Sequence, residues 1–153
     1  MKLTEILPAA LVIPGLKGQT KDEVLRELAE SMAAVHPDIE AARLLDVLWE
    51  RERLGSTAIG DGIAIPHGKL PGLKTVLAAF GRHLQGVDFQ SLDGNPSKLF
   101  FLLVAPEDSV GQHLKALARV SRLLKDPAFR NRLLTARDGG ELYRTICEED
   151  DKY

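Results

Sequence analysis

The stretch "KLFFLLVAP", residues 98–106, decides the fold of this chain. Every residue after Lys98 is apolar, with no alternation between polar and apolar positions. Such a run predicts a strand that lies in the centre of a sheet and is covered on both faces. Two further strands are indicated by "GIAI" (62–65) and "KTVLAAFGRH" (74–83). Because no helical pattern separates residues 74–83 from residues 98–106, we expect the sheet to be mixed.

Helical patterns flank these strands on both sides. Two helices are predicted before them, over about residues 20–36 and 38–52, and three after them. Most begin at a residue that can cap a helix N-terminus: Thr20, Ser109, Asp126 and Asp138. In the helix after Ser109, apolar residues repeat at helical spacing: Leu114, Leu117, Ala118 and Leu124. The sequence therefore predicts an α/β fold, a single domain in which a mixed β-sheet has helices packed on both faces.

Composition excludes several classes of protein. The chain has 153 residues, with 20 basic and 22 acidic side chains, which argues against nucleic acid as the main partner. No apolar run approaches the ~20 residues of a membrane span, and Glu5 and Pro8 interrupt the apolar N-terminus, so neither membrane insertion nor a signal peptide is expected. Cys147 is the only cysteine, which excludes an internal disulfide. We expect a cytoplasmic protein.

The glycine-rich stretch "GSTAIGDGIAIPHGK", residues 55–69, places His67 at the mouth of a predicted strand. Strand-to-loop junctions at the edge of a sheet are common ligand sites in α/β domains. Pro66 restricts the backbone before His67, Gly68 leaves space beside the main chain, and glycine-flanked N–H groups can bind an anion. These residues alone leave two interpretations open, an anion-binding histidine and a merely packed or exposed one.

Two more side chains are candidates for chemistry at this site. His113 lies in the first turn of a predicted helix, where the helix dipole lowers the pKa of a histidine and leaves it neutral with one N–H to donate. Arg51 lies at the end of the second predicted helix. The alternatives are a partly buried polar residue for His113 and a partner of the helix C-terminus for Arg51. His36 and His83 are expected at the surface.

The block "RERLGSTAIGDGIAIPHGK", residues 51–69, resembles the active-site signature of the fructose/mannitol-type (type 2) IIA components of the bacterial phosphoenolpyruvate-dependent phosphotransferase system. The nitrogen-regulatory IIA proteins show the greatest likeness. The resemblance covers nearly the whole chain, including residues 87–108 and 113–124. It implies a IIA type 2 domain over residues 1–147, followed by an acidic tail, 148–153, that we expect to be frayed.

The resemblance also implies a role for each matching residue. His67 would be the phosphorylated nucleophile, which accepts a phosphoryl group from a histidine-containing phosphocarrier protein. His113 would donate a hydrogen bond to the phosphate, and Arg51 would stabilise its charge. Further phosphate contacts are expected from Ser56, Thr57 and Gly68. No cofactor and no metal is implied, and the onward partner would be a regulatory target protein or a IIB domain.

Two positions depart from the family pattern. Ala58 and Asp61 stand where these proteins often have glycine and asparagine. An aspartate facing a phosphohistidine would repel it. Asp61 is therefore expected either to point away from the site or to weaken it.

The sequence and the family resemblance leave four candidate functions to weigh. The first is a regulatory phosphocarrier whose phosphorylation changes partner binding, which the absence of a fused IIB or membrane domain favours. The second is a sugar-delivering IIA component that passes phosphate to a IIB domain, and the third is a binding module with a vestigial site. A metal hydrolase is disfavoured because no H-E-x-x-H spacing occurs. A G-x-x-x-x-G-K-[ST] loop is also missing, so ATP is not the expected donor.

Overall fold

The computed structural model describes residues 1–153, which contain six strands, five α-helices and two short 3-10 helices (Leu3–Glu5 and Ala9–Leu11). The strands are β1 (Val12–Ile13), β2 (Ala58–Gly60), β3 (Ile63–Ala64), β4 (His67–Leu70), β5 (Leu77–Val87) and β6 (Ser97–Pro106). The helices are α1 (Lys21–Val35), α2 (Ala41–Arg53), α3 (Val110–Leu124), α4 (Pro127–Thr135) and α5 (Gly139–Asp150). None of these helices combines the length and apolar character needed to cross a membrane.

Strand β6 lies inside the sheet, as its uniformly apolar sequence predicts. The strand order is β1-β5-β6-β3-β2, and β4 also pairs with β6. Strand β5 runs antiparallel to β6, whereas β3 and β4 run parallel to it, so the sheet is mixed as expected. Residues 99–106 are all buried. The α/β fold with a single domain is thereby confirmed.

On the edge of β6 opposite β5, two short strands, β3 and β4, pair with β6 one after the other. Ala64 pairs with Phe100 and His67 pairs with Leu103, so β3 and β4 share one register along β6. Pro66 lies between them and has no N–H to donate, while its carbonyl oxygen accepts from the Leu103 N–H at 3.0 Å. His67 is therefore the first residue of β4 rather than the residue that ends the strand before it.

Helices cover both faces of the sheet at β4. A Cβ atom added to Gly68 would lie 2.5 Å from Cγ1 of Val47 in α2, so this position faces α2. The side chain of His67 instead contacts His113 in α3. Because neighbouring residues of a strand point to opposite faces, α2 and α3 lie on opposite sides of the sheet. The predicted arrangement of helices on both faces is confirmed.

The helix starts follow the predicted caps with one exception. Side-chain oxygens of Thr20, Asp126 and Asp138 accept backbone N–H groups at the starts of α1, α4 and α5. Ser109 precedes α3 but its side chain makes no capping hydrogen bond, so the cap predicted there is wrong. The reason is its backbone, with φ −115° and ψ 52°, which departs from the extended conformation of a capping residue. Helix α2 begins at Ala41, later than expected.

The acidic C-terminal residues differ from the frayed tail expected from residue 148. Helix α5 continues to Asp150, and the side chain of Asp150 is fully buried. Its Oδ1 atom lies 2.7 Å from Nε of Arg119, and its Oδ2 atom accepts from the Thr4 N–H at 3.2 Å. These partners are distant in sequence, which is why the local charge run gave no sign of them. Residues 151–153 lie beyond the helix and are exposed.

Candidate functional site

A cleft of about 320 Å³ opens between β4, α3 and the end of α2. Its walls carry two imidazoles, two cationic groups and an apolar strip, and no carboxylate. The lining residues are Arg51, His67, Gly68, Lys69, Val110, His113, Leu114 and Leu117. A larger depression of about 540 Å³, bordered by Lys74 and Lys115, contains neither of these histidines. The smaller cleft is therefore the candidate site, because it holds the groups that can react.

The ring of His67 has a defined tautomer. Its Nδ1 atom lies 2.8 Å from the carbonyl oxygen of Ile65. A carbonyl oxygen can only accept, so Nδ1 carries the hydrogen and donates it. Nε2 is therefore the unprotonated nitrogen, with a lone pair available to an electrophile in the cleft.

The surroundings of His67 keep its imidazole neutral. Burial lowers the pKa of this ring below its ordinary value, and the positive charge of Arg51 lowers it further. The hydrogen bond to the Ile65 carbonyl acts in the opposite direction, because it stabilises the protonated ring, but burial outweighs it. A neutral ring with a free Nε2 is the nucleophilic form of histidine.

His113 lies directly beside this ring. The two imidazole centroids are 5.4 Å apart with an interplanar angle of 75°, an edge-to-face arrangement. His113 is only 6% exposed, and its Nε2 atom is buried without a hydrogen-bond partner. Burial lowers the pKa of His113, and the neighbouring His67 and Lys69 lower it further. An unpaired buried polar atom is costly, so this nitrogen is a group that a ligand could satisfy.

Arg51 brings a positive charge to the cleft from the last turn of α2. Its Nη1 atom donates to the carbonyl oxygen of Gly55 at 2.8 Å. This bond orients the guanidinium, and the remaining N–H groups make no other hydrogen bond within the protein. A guanidinium with free donors suits a phosphate, which it can contact through two oxygens.

Ser56 and Thr57 are placed differently from the other candidates. The Ser56 hydroxyl donates to the carbonyl oxygen of Phe89 at 2.6 Å, and the buried Thr57 hydroxyl donates to the Glu52 carboxylate. Neither residue lines the cleft. The structure thus brings together His67, His113, Arg51 and Gly68 and leaves these two hydroxyls outside. The roles of all six residues in phosphate binding stay predictions.

Asp61 also lies outside the cleft. It occupies the tight turn between β2 and β3 with φ 56°, in the left-handed region that aspartate and asparagine tolerate better than most residues. Its N–H donates to the carboxylate of Asp93 at 3.1 Å. Of the two expectations for Asp61, its position fits the one in which it points away. Ala58, the other departure, is fully buried in β2.

The remaining histidines take no part in the cleft. His83 was expected at the surface, and that prediction is wrong, because only 6% of it is exposed. Its Nδ1 accepts from the Gly86 N–H at 2.9 Å, and its Nε2 donates to the carbonyl oxygen of Gly18 at 2.8 Å. His83 therefore links β5 to the loop that precedes α1. His36 lies at the C-terminus of α1 and is half-buried.

The apolar wall of the cleft was not predicted from the sequence. Val110, Leu114 and Leu117 recur with His113 at helical spacing, which places all four on one face of α3. Leu114, one of the apolar residues that repeat at helical spacing, is 60% exposed. The spacing identified the face correctly but could not show that this face borders an open cleft. Lys69, next to Gly68, was also missed.

The fold corresponds to that of a solved IIA protein. The structure superimposes on the crystal structure of the nitrogen regulatory protein IIA-Ntr from Neisseria meningitidis with a TM-score of 0.88 and 30% sequence identity. The match covers 94% of this chain and 98% of that one. This likeness extends over the helices and the whole mixed sheet.

The sequence belongs to the family described as "Phosphoenolpyruvate-dependent sugar phosphotransferase system, EIIA 2", whose model matches residues 5–149. A nitrogen regulatory protein of Bradyrhizobium diazoefficiens is 42% identical over 147 residues, covering 96% of this chain and 95% of that protein. A fructose-specific EIIABC component of Bacillus subtilis is 34% identical over 150 residues, covering 98% of this chain but 24% of the larger protein. The resemblance found in residues 51–69 is thereby confirmed at the level of the family.

Proposed function

We propose that this IIA protein is a phosphohistidine carrier that accepts a phosphoryl group on Nε2 of His67 from a histidine-containing phosphocarrier protein. Its phosphorylation state then regulates which partner proteins it binds. One observation carries the proposal: Nδ1 of His67 is committed to the Ile65 carbonyl, so the free Nε2 is the nitrogen left to react in a cleft without carboxylates. The reaction is a transfer between two imidazoles, and no cofactor is required.

The chemistry balances as a single displacement. The Nε2 lone pair of His67 attacks phosphorus, the new N–P bond forms, and the N–P bond of the donor phosphohistidine breaks with its electron pair returning to the donor imidazole. Positive charge develops on the ring of His67, and the Nδ1–H bond to the Ile65 carbonyl stabilises it. Imidazole is a good leaving group as well as a nucleophile, so the phosphoryl group can be passed on.

Positioned donors stabilise the transferring phosphoryl group. Phosphoryl transfer depends mainly on alignment and on compensation of the charge on the three equatorial oxygens. The free N–H groups of Arg51 and the unpartnered Nε2 of His113 belong to residues that line the same cleft as His67. We assign His113 the tautomer with Nε2–H, in which it donates to one phosphate oxygen. Lys69 adds a second positive charge at the rim.

A regulatory role is better supported than sugar delivery. The nitrogen regulatory relative from Bradyrhizobium and the IIA-Ntr structure from Neisseria are matched over nearly their full lengths. Coverage alone does not separate the two roles, because a fructose-specific EIIA component of Haloferax volcanii is 36% identical to this chain over 95% of its own length. The identity to the nitrogen regulatory relative, 42%, is higher than that to the fructose-specific relative from Bacillus subtilis, 34%, and favours regulation. Passing phosphate to a IIB domain is retained as the second candidate function, because that relative still shares 34% identity over this region. Either role would be carried out in the cytoplasm.

The experiment combines the purified protein with phosphoenolpyruvate, the general phosphotransferase enzyme and the phosphocarrier protein, followed by intact-mass measurement. We expect the added mass of one phosphoryl group, which disappears when the phosphocarrier protein is omitted. His67→Ala should acquire no phosphate, whereas the matched control His36→Ala should be phosphorylated like the wild type. Undiminished labelling of His67→Ala would show that another residue is the acceptor.

A second experiment separates regulation from sugar delivery. The phosphorylated and free proteins are immobilised and incubated with the proteins of the source cell, and the phosphorylated form is also mixed with a fructose-type IIB domain. A regulator should retain different proteins in its two states and should not transfer phosphate to the IIB domain. Rapid transfer to the IIB domain, with the same partners retained in both states, would favour the sugar-delivering function.

A further inference from the structure

A buried ion pair lies beneath the loop that leads to the cleft. Nζ of Lys21, in the first turn of α1, is 2.9 Å from Oε1 of Glu52, in the last turn of α2, and their side chains are 8% and 0% exposed. A buried ion pair is weak evidence for stability, because the cost of removing two charges from water offsets their attraction. Its contacts are therefore the better guide to its role.

Both oxygens of the Glu52 carboxylate are bound to Thr57. Oε1 accepts from the Thr57 N–H at 3.0 Å, and Oε2 accepts from the Thr57 hydroxyl. Two hydrogen bonds from one residue to one carboxylate fix both its backbone and its side-chain rotamer. We refer to Lys21, Glu52 and Thr57 as the buried cluster.

The buried cluster connects to the nucleophile through two further hydrogen bonds. The carbonyl oxygen of Thr57 accepts from the Ile65 N–H at 3.0 Å, and the carbonyl oxygen of Ile65 accepts from Nδ1 of His67 at 2.8 Å. Pro66, between Ile65 and His67, has a fixed φ and restricts the backbone at this point. The position of Thr57 thus determines where the Ile65 carbonyl lies, and that carbonyl determines the orientation of the His67 ring.

We infer that Glu52 and Thr57 are positioning residues for His67. With Lys21 holding the Glu52 carboxylate, they fix the Ile65 carbonyl so that the ring keeps its hydrogen on Nδ1 and leaves Nε2 for the phosphoryl group. The Thr57 hydroxyl acts through this path and not by touching phosphate. The catalytic meaning of the inference rests on the proposed function, whereas the effect on the His67 ring does not.

The experiment compares Thr57→Val, which keeps the shape of the side chain without its hydroxyl, with Thr57→Ser, which keeps the hydroxyl. Thr145→Val is the matched control, because Thr145 is equally buried and its hydroxyl donates at 2.8 Å to the Glu141 carbonyl in α5. Nitrogen-15 NMR of the labelled histidines reports the tautomer of His67, and a time course of phosphorylation reports the rate.

We expect His67 to be the Nδ1–H tautomer in the wild type, Thr57→Ser and Thr145→Val. Thr57→Val should show an increased population of the Nε2–H tautomer and a phosphorylation rate lowered about tenfold, since a misplacement near 1 Å costs on the order of a hundredfold. Thr57→Ala serves as a second variant without the hydroxyl if Thr57→Val does not fold. Circular dichroism confirms the fold of each variant.

Three results would overturn the inference. These are a wild-type His67 in the Nε2–H tautomer, hydroxyl-free variants that match the wild type in both tautomer and rate, and a Thr145→Val variant that is slowed as much as Thr57→Val. The last result would mean that losing any buried hydroxyl slows the protein. A wild-type protein that is never phosphorylated would instead contradict the proposed function, and the NMR comparison would still test the positioning of the ring.

Discussion

Gly68 allows α2 to pack closely against β4. Replacing Gly68 by alanine therefore tests whether the stability of the protein and the phosphorylation of His67 depend on this close packing. A Cβ atom at position 68 would lie 2.5 Å from Cγ1 of Val47, about 1 Å closer than an ordinary carbon–carbon contact. Valine in a helix has one strongly preferred rotamer, so Cγ1 cannot easily turn aside. In Gly68→Ala we expect α2 to move away from the strand, and with it Arg51 and Glu52.

The magnitude follows from two opposing effects. Overpacking of this kind costs about 1–3 kcal/mol. Replacing glycine by alanine also restricts the unfolded chain, which stabilises the protein by about 0.4–1 kcal/mol where the backbone is compatible. The steric cost is larger, so Gly68→Ala should lower the free energy of unfolding by about 1–2 kcal/mol. It should also slow phosphorylation of His67.

Val47→Ala provides the matched control through a double-mutant cycle. Removing Cγ1 leaves the Val47 carbonyl oxygen and Cβ as the next atoms, both at 3.7 Å from the added Cβ, which is an ordinary contact. Val47→Ala alone should cost about 1 kcal/mol, and adding Gly68→Ala to it should cost nothing further. Urea unfolding of the four proteins measures the coupling. Additive losses in the double variant would refute the role given to this contact, as would a Gly68→Ala protein as stable as the wild type.

Three further predictions concern the ionisable groups of the cleft. His113→Ala should still be phosphorylated at His67, but about ten- to a hundredfold more slowly, which is at or below the rate loss typical of removing one hydrogen-bond donor from a preorganised site. Phosphorylation time courses that coincide with the wild type would show that His113 has no role in the transfer. Arg51→Met should raise the pKa of His67, because the positive charge of Arg51 lowers it, and should also slow phosphorylation. NMR titration measures the pKa, and an unchanged titration of His67 would contradict this prediction. Burial lowers the pKa of both His67 and His113, so the unfolded chain binds more protons below pH about 6.5. The contribution of these two rings to the free energy of unfolding should therefore be constant above that pH and fall as the pH drops towards the two lowered pKa values. A His67→Asn/His113→Asn variant should lose less stability over this range, and equal pH dependence would show that these rings do not cause the loss.

The fold could be predicted where local pattern and long-range packing agree. The uniformly apolar residues 99–106 predicted a covered strand, and the lack of a helix before them predicted a mixed sheet, in which β5 is the antiparallel neighbour. His67, His113 and Arg51 were candidates because each lies near the end of a predicted element, and the family resemblance then assigned them to one site. Leu114 shows the limit of this reasoning, since helical spacing identifies a face but not what covers it.

The parts that escaped prediction depend on contacts between distant residues. Lys21 and Glu52 look like ordinary charged residues of two amphipathic helices, and nothing nearby in the sequence indicates that they form a buried pair. Thr57 was assigned to phosphate because it lies beside the glycines, whereas its hydroxyl is bound to Glu52. Asp150 was predicted to belong to a solvated acidic tail, whereas its carboxylate accepts a hydrogen bond from Arg119.

The proposed mechanism requires that Nε2 of His67 carry the phosphoryl group, because Nδ1 is held by the Ile65 carbonyl. The phosphorylated nitrogen is identified most directly from phosphorus–nitrogen coupling by NMR, in protein labelled with nitrogen-15 histidine and phosphorylated through the phosphocarrier protein. The predicted result is a coupling from phosphorus to Nε2 of His67, with Nδ1 still protonated. Coupling to Nδ1 of His67, or to a nitrogen of His113, His36 or His83, would contradict it.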